Sequence, residues 1–262
     1  MPYAQNGNVK VYYEVAGEGM PFVMLHANPC DHRMWMYQIA HFSRWFRVIA
    51  PDMRAYGRTD KPTTLYPFGA LVDDVLAVCA QEDVTSGILA GASMGSKMAF
   101  QLLVDHPGIF QANIQVGGNA FRGTSYDGRI VGYEAAGENV REYRAGHLKE
   151  LFAPGFADTV RGQYLAAMIL EDSAELTGKA IGTLFHSFDD VDLAAAVPSI
   201  EIPTLIVNGA FDNSLTGGRE TSGLIPDAEH AVIEGAGHLC ILEKPEEFDR
   251  LTSDFLRKNG LF

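Results

Sequence analysis

The chain has 262 residues, with 20 Lys and Arg against 33 Asp and Glu, a formal net charge of −13. Hydrophobic residues make up 47% and charged residues 20%, which excludes a disordered chain and allows a large core. The acidity argues against nucleic acid and anionic membrane as partners, because phosphates would be repelled.

Cys30, Cys79 and Cys240 are far apart and form no CxxC or metal-ligand spacing. They predict reduced thiols in a cytoplasmic protein without a bound metal. The start, Met1-Pro2-Tyr3-Ala4-Gln5, lacks the basic and apolar regions of a secretory signal. No apolar run approaches the roughly 18–20 residues that span a bilayer.

In chain order, Val9–Glu14 alternates faces and predicts a strand. Phe22–Leu25 is an apolar run stopped by His26-Ala27-Asn28-Pro29, a buried strand entering a loop. Trp35, Ile39 and Phe42 have helical spacing, and Phe46–Ala50 is a strand stopped by Pro51. Phe68, Leu71, Val72, Val75, Leu76, Val78 and Cys79 fit one helix face. Ile88–Ala90 is a strand that runs into Gly91-Ala92-Ser93-Met94-Gly95, and Met98, Ala99, Leu102 and Leu103 continue as a helix. Ala112–Val116 is again a strand. Such alternation predicts a mainly parallel central sheet flanked by helices, with ligands beyond the carboxyl ends of the strands.

Residues 120–197 contain no convincing buried strand and read as a helical insertion rich in Tyr and Phe. The alternating pattern resumes with Thr204–Val207, Ala231–Ile233 and a final amphipathic helix carrying Phe248, Leu251, Phe255 and Leu256. The expected organisation is a core of 1–119 and 198–262, with a cap of 120–197 inserted between two late strands.

Gly91-Ala92-Ser93-Met94-Gly95 fits Gly-x-Ser-x-Gly between a strand and a helix. A sharp turn there strains the middle residue, and flanking glycines relieve the crowding. Ser93 is lifted clear of the sheet, at a helix N-terminus that favours developing negative charge. A serine nucleophile needs a base, and the base needs an orienting carboxylate. Asp212 and His238 follow the late strands in the order Ser, Asp, His. The other seven histidines compete poorly, with His147 and His186 in the insertion and His230 just before a strand. The oxyanion donors expected in this arrangement are the Met94 N–H and one from the 26–29 loop, assigned to Asn28, whose side-chain amide could add to it. His26, Tyr126, Phe185 and Leu239 are the candidate substrate contacts.

These segments resemble the α/β-hydrolase superfamily over nearly the whole chain. His26-Ala27-Asn28-Pro29 is similar to its His-Gly-x-Pro loop, with Ala27 where glycine is usual. Asp52–Thr59 is similar to Asp-x-Arg-Gly-x-Gly-x-Ser, with Ala55 and Thr59 as departures. Gly91–Gly95 matches the nucleophile elbow. Gly235–His238 and Glu243–Phe248 match the histidine loop and closing helix.

The resemblance implies an α/β-hydrolase fold with a helical cap, and a serine hydrolase acting on a small, largely apolar ester or lactone. It implies no metal or organic cofactor. The expected partner is a small-molecule substrate, and a homodimer is the general prior for a soluble enzyme. Alternatives within the same fold are carbon–carbon hydrolysis of a β-diketone-like substrate and serine-dependent perhydrolysis. Two others are a cofactor-independent dioxygenase, faintly suggested by Cys30-Asp31-His32-Arg33, and a ligand receptor with slow turnover.

Overall fold

The computed structural model describes residues 2–123, 126–171 and 176–262. Eight strands, β1 (Tyr3–Asn6), β2 (Val9–Ala16), β3 (Met20–Leu25), β4 (Phe46–Pro51), β5 (Gly87–Ala92), β6 (Phe110–Val116), β7 (Thr204–Gly209) and β8 (Glu229–Ile233), form one sheet. Its order is β1-β2-β4-β3-β5-β6-β7-β8. The β1–β2 and β2–β4 pairs are antiparallel, and every pair from β4 onward is parallel. The sequence reading missed β1, a four-residue edge strand too short to show a period.

Helices α1 (Met36–Phe42), α2 (Gly69–Gln81) and α3 (Met94–Asp105) connect the first parallel strands. Between β6 and β7 come α4 (Tyr126–Ala136), α5 (Val140–Leu151), α6 (Val160–Ile169) and α7 (Gly178–His186). That segment has only helices and turns among the described residues. Helices α8 (Leu215–Ser222), α9 (Cys240–Glu243) and α10 (Pro245–Lys258) complete the chain. The helix anticipated around Trp35 begins one residue later, after a 3-10 turn over His32–Trp35 capped by Asp31.

Successive residues of a strand face opposite sides of a sheet. Val23, Leu25 and Leu89 accordingly join the core on one side, and Phe22, Met24, Ile88 and Ala90 the core on the other. The middle strand β5 is buried along its whole length, as a parallel sheet covered on both faces requires. α10 packs Phe248, Phe255 and Leu256 onto one of these cores. No described helix is long and apolar enough to cross a membrane. The three cysteines are buried and unpaired.

The parallel strands all point one way, so the chain segments after β3, β5, β6, β7 and β8 gather at one edge. Those segments carry Asn28, Ser93, Gly117, Asp212 and His238.

Candidate active site

Ser93 stands between β5 and α3 with φ 52° and ψ −109°, backbone that a non-glycine residue rarely adopts. Its neighbours explain how the turn is held. A Cβ on Gly95 would lie 2.4 Å from the Leu25 carbonyl oxygen, and one on Gly91 would lie 2.6 Å from the Gly95 oxygen. The Ser93 amide donates to Val116 O at 2.9 Å, and Ser96 Oγ donates to Gly91 O at 2.9 Å. Only glycine lets helix and strand approach this closely.

Asp212 and His238 are both buried, and His238 Nδ1 lies 2.7 Å from Asp212 Oδ1. Asp212 also accepts from the Ser214 amide and from Asn208 Nδ2, each at 2.8 Å. Burial alone would raise the Asp212 carboxyl, but His238 and these donors hold it at about 2. Burial pulls the His238 imidazole down, and the Asp212 carboxylate more than offsets this and raises it above its ordinary value. Nδ1 carries the proton shared with Asp212, which leaves Nε2 as the free basic nitrogen.

Gly117, directly after β6, has φ +58°, and a Cβ there would lie 2.9 Å from His238 Cε1 and Nδ1. The imidazole therefore occupies space that any side chain at position 117 would fill.

Ser93 and His238 line a cavity of about 390 Å³ together with Asn28 and Met94. The Met94 amide opens α3 and has no intrahelical acceptor, and the Asn28 amide has no backbone acceptor among the described residues. The Asn28 side chain is already engaged. Its Oδ1 accepts a short hydrogen bond from the Tyr56 hydroxyl, and its Nδ2 lies 3.3 Å from His147 Nδ1. One Nδ2 hydrogen is thereby directed at His147, and the second is left for another acceptor.

His147 is the functional-site residue that the sequence reading set aside. It sits on α5, lines the cavity, and its Nδ1 also lies 2.9 Å from the Tyr133 hydroxyl. Two donors on Nδ1 assign the ring hydrogen to Nε2. Burial, then Arg129, His238 and Arg144, lower its pKa to about 3, so the ring is neutral. Nearby Arg144, also on α5, is 1% exposed, donates to Pro29 O and lies 5.5 Å over the Tyr56 ring. It ties the inserted helices to the Asn28 loop.

Of the four candidate substrate contacts, Tyr126 and Phe185 line the cavity, and His26 and Leu239 do not. His26 is fully buried below it. Its Nε2 accepts from the Met53 amide at 2.8 Å, and its Nδ1 lies 3.0 Å from Ala27 O. Leu239 is buried in the core beneath the histidine loop. Both are neighbours in sequence of residues that do face the cavity, but the chain turns them inward.

Of the Tyr and Phe residues of the insertion, Tyr126 and Phe185 are the ones that line the cavity among the described residues. Many insertion aromatics pack on one another, as in Tyr133–Phe185 stacked at 5.6 Å and Phe152–Phe156 at 5.0 Å. The lining also includes Lys97, Asn119, Arg122, Arg129 and Asn213, with no Asp or Glu among the described residues.

One cluster has metal-ligand chemistry: donor atoms of Asp31, His32 and Asp52 lie within 4.8 Å of one another. Each is already satisfied within the chain. Asp31 chelates Arg33, with Arg33 Nη2 at 2.7 Å, and Asp52 accepts from the His32 ring at 2.7 Å and the Arg58 amide at 2.9 Å. This cluster, which includes the dioxygenase-like segment, does not line the cavity that holds Ser93.

Comparison with known proteins gives a consistent family. Residues 20–130 match a family described as alpha/beta hydrolase fold. The chain is 29% identical over 269 residues to the AB hydrolase superfamily protein YisY of Bacillus subtilis, covering 95% of this chain and 96% of that protein. It is 28% identical to 3-oxoadipate enol-lactonase 1 of Acinetobacter baylyi, covering 87% and 85%. The enol-lactonase structure from Burkholderia xenovorans superposes with a TM-score of 0.89 at 24% identity, covering 98% of this chain and 100% of that one. At that identity the likeness speaks for the fold.

Proposed function

We propose that the chain is a serine hydrolase of the α/β-hydrolase superfamily that opens a small ester or lactone through an acyl-enzyme at Ser93. The observation that carries this reading is the 2.7 Å His238–Asp212 contact beside the cavity that also holds Ser93. Relatives named as enol-lactonase and as a hydrolase of a 2-hydroxy-6-oxo-dienoic acid support hydrolysis as the reaction class.

In this mechanism Ser93 Oγ attacks the carbonyl carbon while His238 Nε2 takes its proton. Asp212 keeps the imidazole in the useful tautomer and stabilises the imidazolium. The amides of Met94 and Asn28 receive the negative charge that forms on the carbonyl oxygen. The tetrahedral intermediate collapses, the alcohol oxygen leaves, and it takes the proton from His238. Water then adds to the acyl carbon, His238 takes its proton and returns it to Ser93, and the carboxylic acid departs. Tyr126 and Phe185 supply apolar contact to the substrate.

The test is intact mass after exposure to a fluorophosphonate, compared between the native chain and Ser93→Ala. One adduct on the native chain and none on the variant is the expected result. An adduct that persists in Ser93→Ala rejects Ser93 as the nucleophile. Ester turnover should fall by at least about a thousandfold in the same variant.

A further inference from the structure

Lys97 is an unusual charge in this molecule. It lies on α3 four residues after Ser93, is only 4% exposed, and lines the cavity. Its Nζ has one protein acceptor, the Phe121 carbonyl oxygen, and no carboxylate within ion-pair distance among the described residues. The other cations of the lining are paired: Arg122 with Asp190 at 3.1 Å and Arg129 with Glu150 at 2.5 Å.

Three physical facts disfavour an ammonium at this place. It has lost most of its water, its one acceptor is an uncharged carbonyl, and it sits in the first turn of a helix, whose positive end repels a cation. Burial lowers its pKa to about 8, with Asp192 acting in the opposite direction. An anion in the cavity would offset all of these costs at once. Residues four apart lie on the same helix face, and helical side chains lean toward the N-terminus, so Lys97 points back toward Ser93. Four residues of helix span about 6 Å, the length of a short carbon chain.

We propose that Lys97 is a specificity-determining residue that binds a carboxylate on the substrate, placed a few carbons from the scissile carbonyl. This rests on the serine hydrolase reading above and narrows it to esters or lactones of dicarboxylic acids. The anion exchanges its hydration for the ammonium, which needs no new charge from the protein. The acidic surface of the chain does not oppose this locally, because the lining itself carries no acid among the described residues.

The experiment compares mono-4-nitrophenyl glutarate with its methyl ester, in the native chain, Lys97→Met and Lys97→Arg. Methionine in place of a buried ammonium removes a charge without leaving a large void, so the variant should fold. The quantity read is the ratio of kcat/KM for the anionic ester to that for the neutral one. The native chain should favour the anion at least about tenfold, Lys97→Met should lower the ratio at least about tenfold through KM, and Lys97→Arg should restore part of it. An equal ratio in the native chain and Lys97→Met overturns the proposal, as does a native chain without preference. If neither ester is turned over, the serine hydrolase reading fails by itself. Calorimetry of glutarate binding to Ser93→Ala, with and without Lys97→Met, then decides. Binding lost only with Lys97→Met supports the carboxylate site, and binding that is absent or unaffected by Lys97→Met overturns it.

Discussion

The floor and the roof of the cavity are built by different means. The floor comes from the ends of β3, β5, β6, β7 and β8, and main-chain geometry fixes it. Gly91, Gly95 and Gly117 stand where a Cβ would collide with backbone or with His238, and Ser93 holds a strained φ. The roof comes from α4, α5 and α7, whose side chains Tyr126, Arg129, His147 and Phe185 reach inward from amphipathic helices. A floor set by backbone collisions permits few residue types, and a roof set by side chains permits many. The floor thus suits a fixed reaction, and the roof suits a substrate that can change.

Gly117→Ala attacks the floor and should have the largest effect of the changes below. A methyl group 2.9 Å from the imidazole must push it off its position, and φ +58° strains the backbone as well. Displacement of a reacting group by about 1 Å costs about a hundredfold in rate. Ester kcat/KM should fall by about that factor while circular dichroism stays native. Unchanged kcat/KM would mean that the floor has more slack than its contacts imply.

The pH dependence separates floor from roof without mutation. Neutral His238 is the base, so kcat/KM for a neutral ester should rise with pH through a midpoint above 6.5. Lys97, with its pKa near 8, acts in its charged form, so preference for the anionic ester should fade above about pH 8. Asp212, Arg122, Tyr126, Arg129, His147 and His238 are the other charged or titratable groups around the cavity, and Asp192 lies beyond it. His238, raised above its ordinary value by the Asp212 carboxylate, sets the limb seen with the neutral ester. Stability gives the opposite limb. Asp212 is held at about 2 against 3.8 unfolded, so its contribution is present above about pH 4 and is lost as the pH falls through 2. Melting temperature measured from pH 6 to 2 should drop over that window, and less so in Asp212→Asn.

Glu243→Gln tests the seam between the two regions and should have the smallest effect. The buried Glu243 carboxylate accepts from the Gly237 amide at 2.8 Å and from the Ala153 amide at 3.0 Å. It thereby joins the histidine loop to the turn after α5. Glutamine can accept with only one of its two terminal groups, so one buried amide loses its partner at a cost of about 1–3 kcal/mol. Denaturant melts would read this loss directly. A loss of stability without loss of ester turnover would place the seam outside the catalytic geometry.

Much of the floor was legible because it is local. Gly91–Gly95 compresses a strand end, a turn and a helix start into five residues, and each glycine answers a collision within that short stretch. Asp212 and His238 follow strands whose apolar runs mark them plainly. Lys97 also left a signal, a cation beside the apolar residues Met94, Met98, Ala99 and Leu102 on a largely buried helix. The roof was not legible in this way. His147 looked like any insertion histidine until α5 brought it within 3.3 Å of Asn28, which is 119 residues away in the chain. His26 and Leu239 show the reverse error, since a loop sequence does not say which side chains turn toward the core.

The sequence by itself determined the alternating strands and helices, the elbow at Ser93 and the order of Ser, Asp and His, because period and turn chemistry act over a few residues. Tertiary structure alone decided that Lys97, Arg122, Arg129 and His147 join Tyr126 and Phe185 in lining the cavity. Those side chains come from α3, the loop after β6, α4, α5 and α7, and only the packing of distant elements sets what faces inward together.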